Sequence, residues 1–98
     1  MRKPEDKNIV VCDQLGVLRI GGNVPSDRYG DCDLPNGKPR IVRVKGSLRG
    51  RQFFEILLHE LLHLGLPHHN EKFVDQLASD LTEIFSDHEI AERCDGFL

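Results

Sequence analysis

Gln52-Phe-Phe-Glu-Ile-Leu-Leu-His-Glu-Leu-Leu-His-Leu64 is the stretch on which the fold turns. Its apolar residues occupy most sides of a helical projection, which predicts a largely buried central helix. Gly65 and Pro67 stop it. Asn70 is a good N-cap, and Glu71 suits the first turn of a second helix. Phe73, Val74, Leu77, Ala78, Leu81, Ile84 and Phe85 then recur at helical spacing, so this second helix is amphipathic. The short connection makes the two helices antiparallel neighbours. One or two further helical turns are expected after Ser86.

Upstream the signals change to strands. Arg40-Ile-Val-Arg-Val-Lys45 alternates Arg43 and Lys45 with Val42 and Val44, as an edge strand or a sheet with one wet side does. Asn8-Ile-Val-Val-Cys12 is β-rich, and Leu15 to Ile20 reads as its hairpin partner across Asp13 to Gly16. Between them and Arg40, residues 21–39 are rich in Gly, Pro, Asp and Asn. They read as a long loop with a turn at Pro35-Asn-Gly37 and a short strand between Tyr29 and Cys32. Residues 1–7 read as a frayed, charged lead. The expected fold is α+β, a single domain over residues 1–98 with a small antiparallel sheet packed on two antiparallel helices.

The composition agrees with one modest domain. The chain has 98 residues, 39% of them hydrophobic and 30% charged, so it is neither disordered nor divisible into two domains. Sixteen acids against 13 bases leave a net charge of -3, which excludes a purely electrostatic nucleic-acid binder. No apolar run approaches the ~20 residues that cross a bilayer. No apolar segment of a secretory signal follows the charged start. Cys12, Cys32 and Cys94 are odd in number and far apart, as reduced thiols of a cytoplasmic protein are.

The chemistry lies in the helix. His59-Glu-Leu-Leu-His63 fits H-E-x-x-H, and four residues advance a helix by slightly more than one turn. Both imidazoles therefore leave the same face and can share one ion. Glu60 is offset from them yet close enough to reach a water on the metal. Buried histidines on a Leu-rich helix with no such role would need other partners for their nitrogens. A catalytic zinc site takes three protein ligands and keeps a fourth position open. Glu71, His69, His68 and Asp75 are the candidates for the third. Arg40, Arg43, Lys45, Arg49 and Arg51 form a basic stretch that reads as a solvated face, with an acidic substrate or nucleic acid as the lesser reading. Glu55 reads as an exposed acid, and Tyr29 or His68 as a candidate oxyanion donor.

Asn70-Glu-Lys-Phe-Val-Asp75 resembles the second-helix motif N-E-x-x-x-D of thermolysin-type gluzincins. That resemblance implies Glu71 as the third zinc ligand and Asp75 as the group that orients a ligating histidine. The spacing between the two motifs is much shorter here than in thermolysin. His69 is the rival, because it stands where metzincins carry their third histidine, although Leu66 occupies their glycine position. His59 to His69 also resembles a bacterial endoribonuclease motif, but that family lacks a glutamate where this chain has Glu60. Residues 28–86 are similar as a whole to small zincin-like proteins of phages and bacteria, in which an acidic residue opens the second helix.

The expected function is that of a zinc-dependent hydrolase, a metallopeptidase of minimal zincin-like design. His59, His63 and Glu71 would hold Zn2+, and Glu60 would act as general base on the zinc-bound water. A peptide or protein is the expected substrate, held along the strand at Ile41 to Val44. No membrane partner is expected, and nucleic acid is the lesser alternative. Two other readings stay open: a metal-dependent nuclease, and a non-catalytic interaction protein stapled by zinc.

Overall fold

A computed structural model describes residues 5–21, 24–35 and 39–94. The elements follow in the order β1 (Glu5–Val11), β2 (Gln14–Ile20), β3 (Gly30–Cys32), β4 (Arg40–Val44), α1 (Gly50–Gly65), α2 (Glu71–Phe85) and α3 (His88–Arg93). The architecture is α+β, a four-stranded sheet in the order β1-β2-β4-β3 with helices packed against it. No helix among the described residues is long and apolar enough to cross a membrane.

The sheet is mixed rather than antiparallel. β1 and β2 are antiparallel, as are β3 and β4, but β2 and β4 run parallel with Val17 beside Ile41. The long stretch after β2 carries the chain past the position next to it and lays β3 at the far edge. β4 then turns back into the gap, which sets it parallel to β2. β4 is therefore interior, and the edge beside the helices belongs to β3. Its alternation is that of a strand with two covered faces: Arg40, Val42 and Val44 are buried under α1, while Ile41 and Arg43 are half-buried on the other face.

The hairpin turns earlier than expected. Cys12 and Asp13 both have positive φ, 50° and 64°, which is the two-residue turn whose twist suits antiparallel strands. Val11 pairs with Gln14, so β2 begins at Gln14. Part of the expected frayed lead is sheet: Asp6 pairs with Arg19, whose guanidinium donates to both carboxylate oxygens at 2.8 and 2.9 Å. Residues 1–4, and the expected turn at Asn36-Gly37, lie outside the described residues.

α1 lies across the sheet, and Leu18, Val42, Val44, Leu48 and Leu64 form the core between them. Leu64 is fully buried, a contribution of roughly 1.5–3 kcal/mol. α2 runs antiparallel to α1. The start of α1 meets the end of α2 through the Arg51–Glu83 pair and the rings of Phe54 and Phe85, 5.7 Å apart. The end of α1 meets the start of α2 through His63 and Glu71. Asn70 caps α2 by accepting from the amide of Phe73 at 2.8 Å.

One expectation about the helices needs correction. α1 is half-buried along most of its length: only Glu60, Leu64 and Gly65 are buried, because α2 covers one flank and the sheet another. Phe54, Leu57, Leu58 and Leu61, with Phe85 and Cys94, line an apolar cleft of about 400 Å³. α1 stops at Gly65, where the sequence places its end. This glycine is the last helical residue, and a Cβ there would collide with Val11, so its role is close packing on β1.

Candidate metal centre

His59 and His63 project together from α1, with ring centroids 4.7 Å apart and Nε2 atoms 3.1 Å apart. The antiparallel start of α2 brings a carboxylate to the same point. Glu71 Oε1 lies 2.9 Å from Nε2 of His59, and Oε2 lies 2.8 Å from Nε2 of His63. One turn along α2, Asp75 Oδ1 stands 2.8 Å from Nδ1 of His59. His59 thus belongs to two overlapping clusters, one with Glu60 and His63 and one with Glu71 and Asp75.

The donor chemistry of this group fits a divalent cation. When Nδ1–H of His59 donates to Asp75, its Nε2 presents a lone pair. That lone pair faces a carboxylate oxygen of Glu71, and two acceptors at 2.9 Å need a cation or a shared proton between them. Nitrogen and oxygen ligands around tetrahedral zinc stand about 3.3 Å from one another, slightly wider than the spacing here. The His59 and His63 side chains are 17% and 23% exposed while Glu71 is 65% exposed, so solvent reaches the point from the α2 side.

Glu60 sits beside this point on the sheet side of α1. It is 8% exposed, and burial pushes its carboxyl up to about 7; His59, when its ring carries a proton on both nitrogens, opposes the rise, Glu71 and Asp31 add to it, and Arg28 opposes it. Gly30 of β3 makes the room. A Cβ there would stand 2.8 Å from the Arg43 carbonyl oxygen, 3.0 Å from Ile56 and 3.2 Å from Cγ of Glu60. A cavity of about 440 Å³ opens on one side of Glu60, lined by Arg28, Leu34, His63 and Glu71 among others. A smaller one of about 180 Å³ opens on the other, where Tyr29, Glu55 and Asp75 meet Glu60. Glu55, expected as an exposed acid, is half-buried there.

The other sequence candidates lie elsewhere. His69 is exposed in the interhelix connection with its ring 5.1 Å from that of Phe73, outside both clusters, and His68 beside it is exposed. The basic stretch is split: Arg40 is buried and Arg43 half-buried, while Arg49 and Arg51 are exposed, as a solvated face would be. Arg43 donates to Asp31 at 3.0 Å and Asp33 at 2.8 Å, Arg49 donates to the carbonyl of Leu48, and Arg51 pairs with Glu83. Burial raises the Asp33 carboxyl, but Arg43 and the amide of Ile41 outweigh it and hold Asp33 below its ordinary value.

Sequence reasoning gave Gly30 no role, and it read Arg40 as part of a solvated basic face and Cys32 as a reduced thiol. Arg40 lies in the strand's apolar register, a signal that it points inward with Val42 and Val44. Cys32 is half-buried on the cavity wall, and its thiol is pushed up to about 11 by burial, which the charge of Arg40 opposes. Gly30 carries no readable sign, because the helix that approaches it is remote in sequence.

Compared with protein-family models, curated proteins and solved structures, the chain matches none. Glu71 rather than His69 converges with the two histidines, which makes it the candidate third ligand. Glu71→Ala is expected to weaken zinc binding by more than about tenfold, and His69→Ala to leave it unchanged. Chelator competition on the two variants measures both, and a larger loss in the His69 variant reverses the assignment.

Proposed function

We propose that the protein is a zinc-dependent hydrolase, a metallopeptidase of small zincin-like type. His59, His63 and Glu71 are its zinc ligands, Asp75 orients His59, and Glu60 is the general base. The observation that carries this reading is the convergence of two Nε2 atoms and one carboxylate within 2.8–3.1 Å, beside a buried carboxyl. Zinc held there supplies Lewis acidity to a carbonyl oxygen and makes a neighbouring water more acidic. Glu60 accepts a proton from the attacking water and returns it to the amine as the carbon–nitrogen bond breaks. Low dielectric around Glu60 strengthens this transfer, and the cavities on both sides give an extended chain room to pass.

The substrate strand in this reading is aligned by β3, the sheet edge beside Glu60, in place of the interior β4. Arg43 pairs with Asp31 and Asp33 and Arg51 with Glu83, so neighbouring carboxylates neutralise part of the basic stretch on which a nuclease reading would draw. Incubation of the zinc-loaded protein with a mixed peptide library tests the proposal. Cleavage that stops on chelation and returns with zinc is expected, with RNA left intact; RNA cleavage without peptide cleavage overturns it.

A further inference from the structure

We infer that Arg40 is a positioning residue for His63, its guanidinium replacing the backbone amide that Pro67 cannot supply. This rests on the reading of His63 as a metal ligand. In a helix each carbonyl accepts from the amide four residues on, and Leu62 does so from Leu66 at 2.8 Å. The next partner of His63 would be residue 67, and proline has no N–H. Leu66 has also left the helical region, at φ -126° and ψ 62°, so the carbonyl of Leu64 loses its helical donor too. Both carbonyls would be orphans at the end of a helix whose Leu64 is fully buried.

Arg40 fills both places from β4. Nη1 donates to the carbonyl of Leu64 at 3.1 Å and Nη2 to that of His63 at 3.2 Å. Nε donates to the carbonyl of Asp33 at 2.7 Å, and Nη2 also reaches Cys32 Sγ at 3.5 Å. The residue is 7% exposed, and its acceptors among the described residues are three carbonyl oxygens and this sulfur. The negative end of α1 answers its buried charge. A rigid planar fork meets carbonyls on two segments at once, which a lysine cannot do.

The consequence falls on the ligand geometry. Asp75 holds the ring of His59 directly, whereas no carboxylate among the described residues contacts Nδ1 of His63. The position of His63 is set through its main chain, in the last turn, where helices fray. Arg40 ties that turn to the sheet and to the segment after β3.

The test is metal binding by the full chain carrying Arg40→Lys, which keeps the charge and the aliphatic stem. Zinc affinity is expected to fall about ten- to hundredfold by chelator competition, the range for groups that support a ligand. The visible absorption of the cobalt-loaded form is expected to shift, because it reports ligand geometry. Leu18→Ala, in the core on β2, is the control: it loses thermal stability and keeps the cobalt spectrum. Wild-type affinity and spectrum in Arg40→Lys overturn the inference, and so does an equal spectral shift in Leu18→Ala. A second measurement uses the unaltered chain. Coupling is reciprocal, so zinc is expected to slow hydrogen exchange at Nε–H of Arg40, and an unchanged rate overturns the inference. If the unaltered chain binds neither metal, the metal-centre reading fails and this inference with it; metal binding that ignores Arg40 removes this inference alone.

Discussion

A His59→Ala/His63→Ala variant is expected to hold no zinc, where the unaltered chain holds one ion per molecule. The expectation follows from the α1 spacing, which sets two Nε2 atoms 3.1 Å apart, and from their shared contact with Glu71. With both rings gone, the neighbouring carboxylates lack the nitrogen donors that zinc favours over oxygen alone. Loss of a supporting group costs about ten- to hundredfold in affinity, and loss of two ligands exceeds the square of that. The fold is expected to survive, because the core is built on Leu18, Val42, Val44, Leu48 and Leu64 and neither ring belongs to it. Elemental analysis of purified protein, with circular dichroism to verify the helices, decides the point. Equal metal content in the two proteins would sink the metal centre.

Glu60→Gln is expected to keep zinc and lose hydrolysis by about 10²–10⁴-fold, the usual contribution of a general base. The amide has the same size and leaves His59, His63 and Glu71 in place, but it cannot take a proton from water. A second readout concerns stability in the metal-free protein. The Glu60 carboxyl is raised from its ordinary 4.5 to about 7, so the folded state binds more protons than the unfolded one between those values. Stability therefore falls as pH rises through that window, the reverse of a salt-bridged carboxylate. Glutamine removes the titration, and its thermal midpoint is expected to vary less over the same range. Hydrolysis at the unaltered rate would remove Glu60 from the mechanism, and an unchanged pH profile would show that its burial is not felt.

The two helices and the separation of His59 from His63 were legible in sequence because they are local. Hydrophobic spacing of 3.6 residues, the Asn70 cap and the i,i+4 pair act within one or two turns, where no distant partner is needed. The hairpin was legible in its strands but not in its turn, since Cys12 accepts a positive φ that its residue type does not advertise. The strand at Arg40 to Val44 was visible too, yet its neighbours were not. Alternating burial looks the same on an edge strand with one wet side as on an interior strand whose far face is closed by ion pairs.

What only the tertiary structure decided is which remote residues meet. Which of Glu71 and His69 stands against His59 and His63 depends on how two helices dock, although the two lie only two residues apart in the chain. The room for Glu60 comes from Gly30, which no periodicity connects to α1. Part of the basic stretch, a surface face by composition, has internal partners because β3 lays Asp31 and Asp33 beside Arg43, while Arg49 and Arg51 stay exposed. Arg40 points inward to the end of α1, where it donates to the carbonyls of His63 and Leu64. Local sequence determines dihedral preference and the face a side chain leaves from. The partner across the gap is set by packing, where burial and unsatisfied hydrogen bonds are summed over segments far apart in the chain.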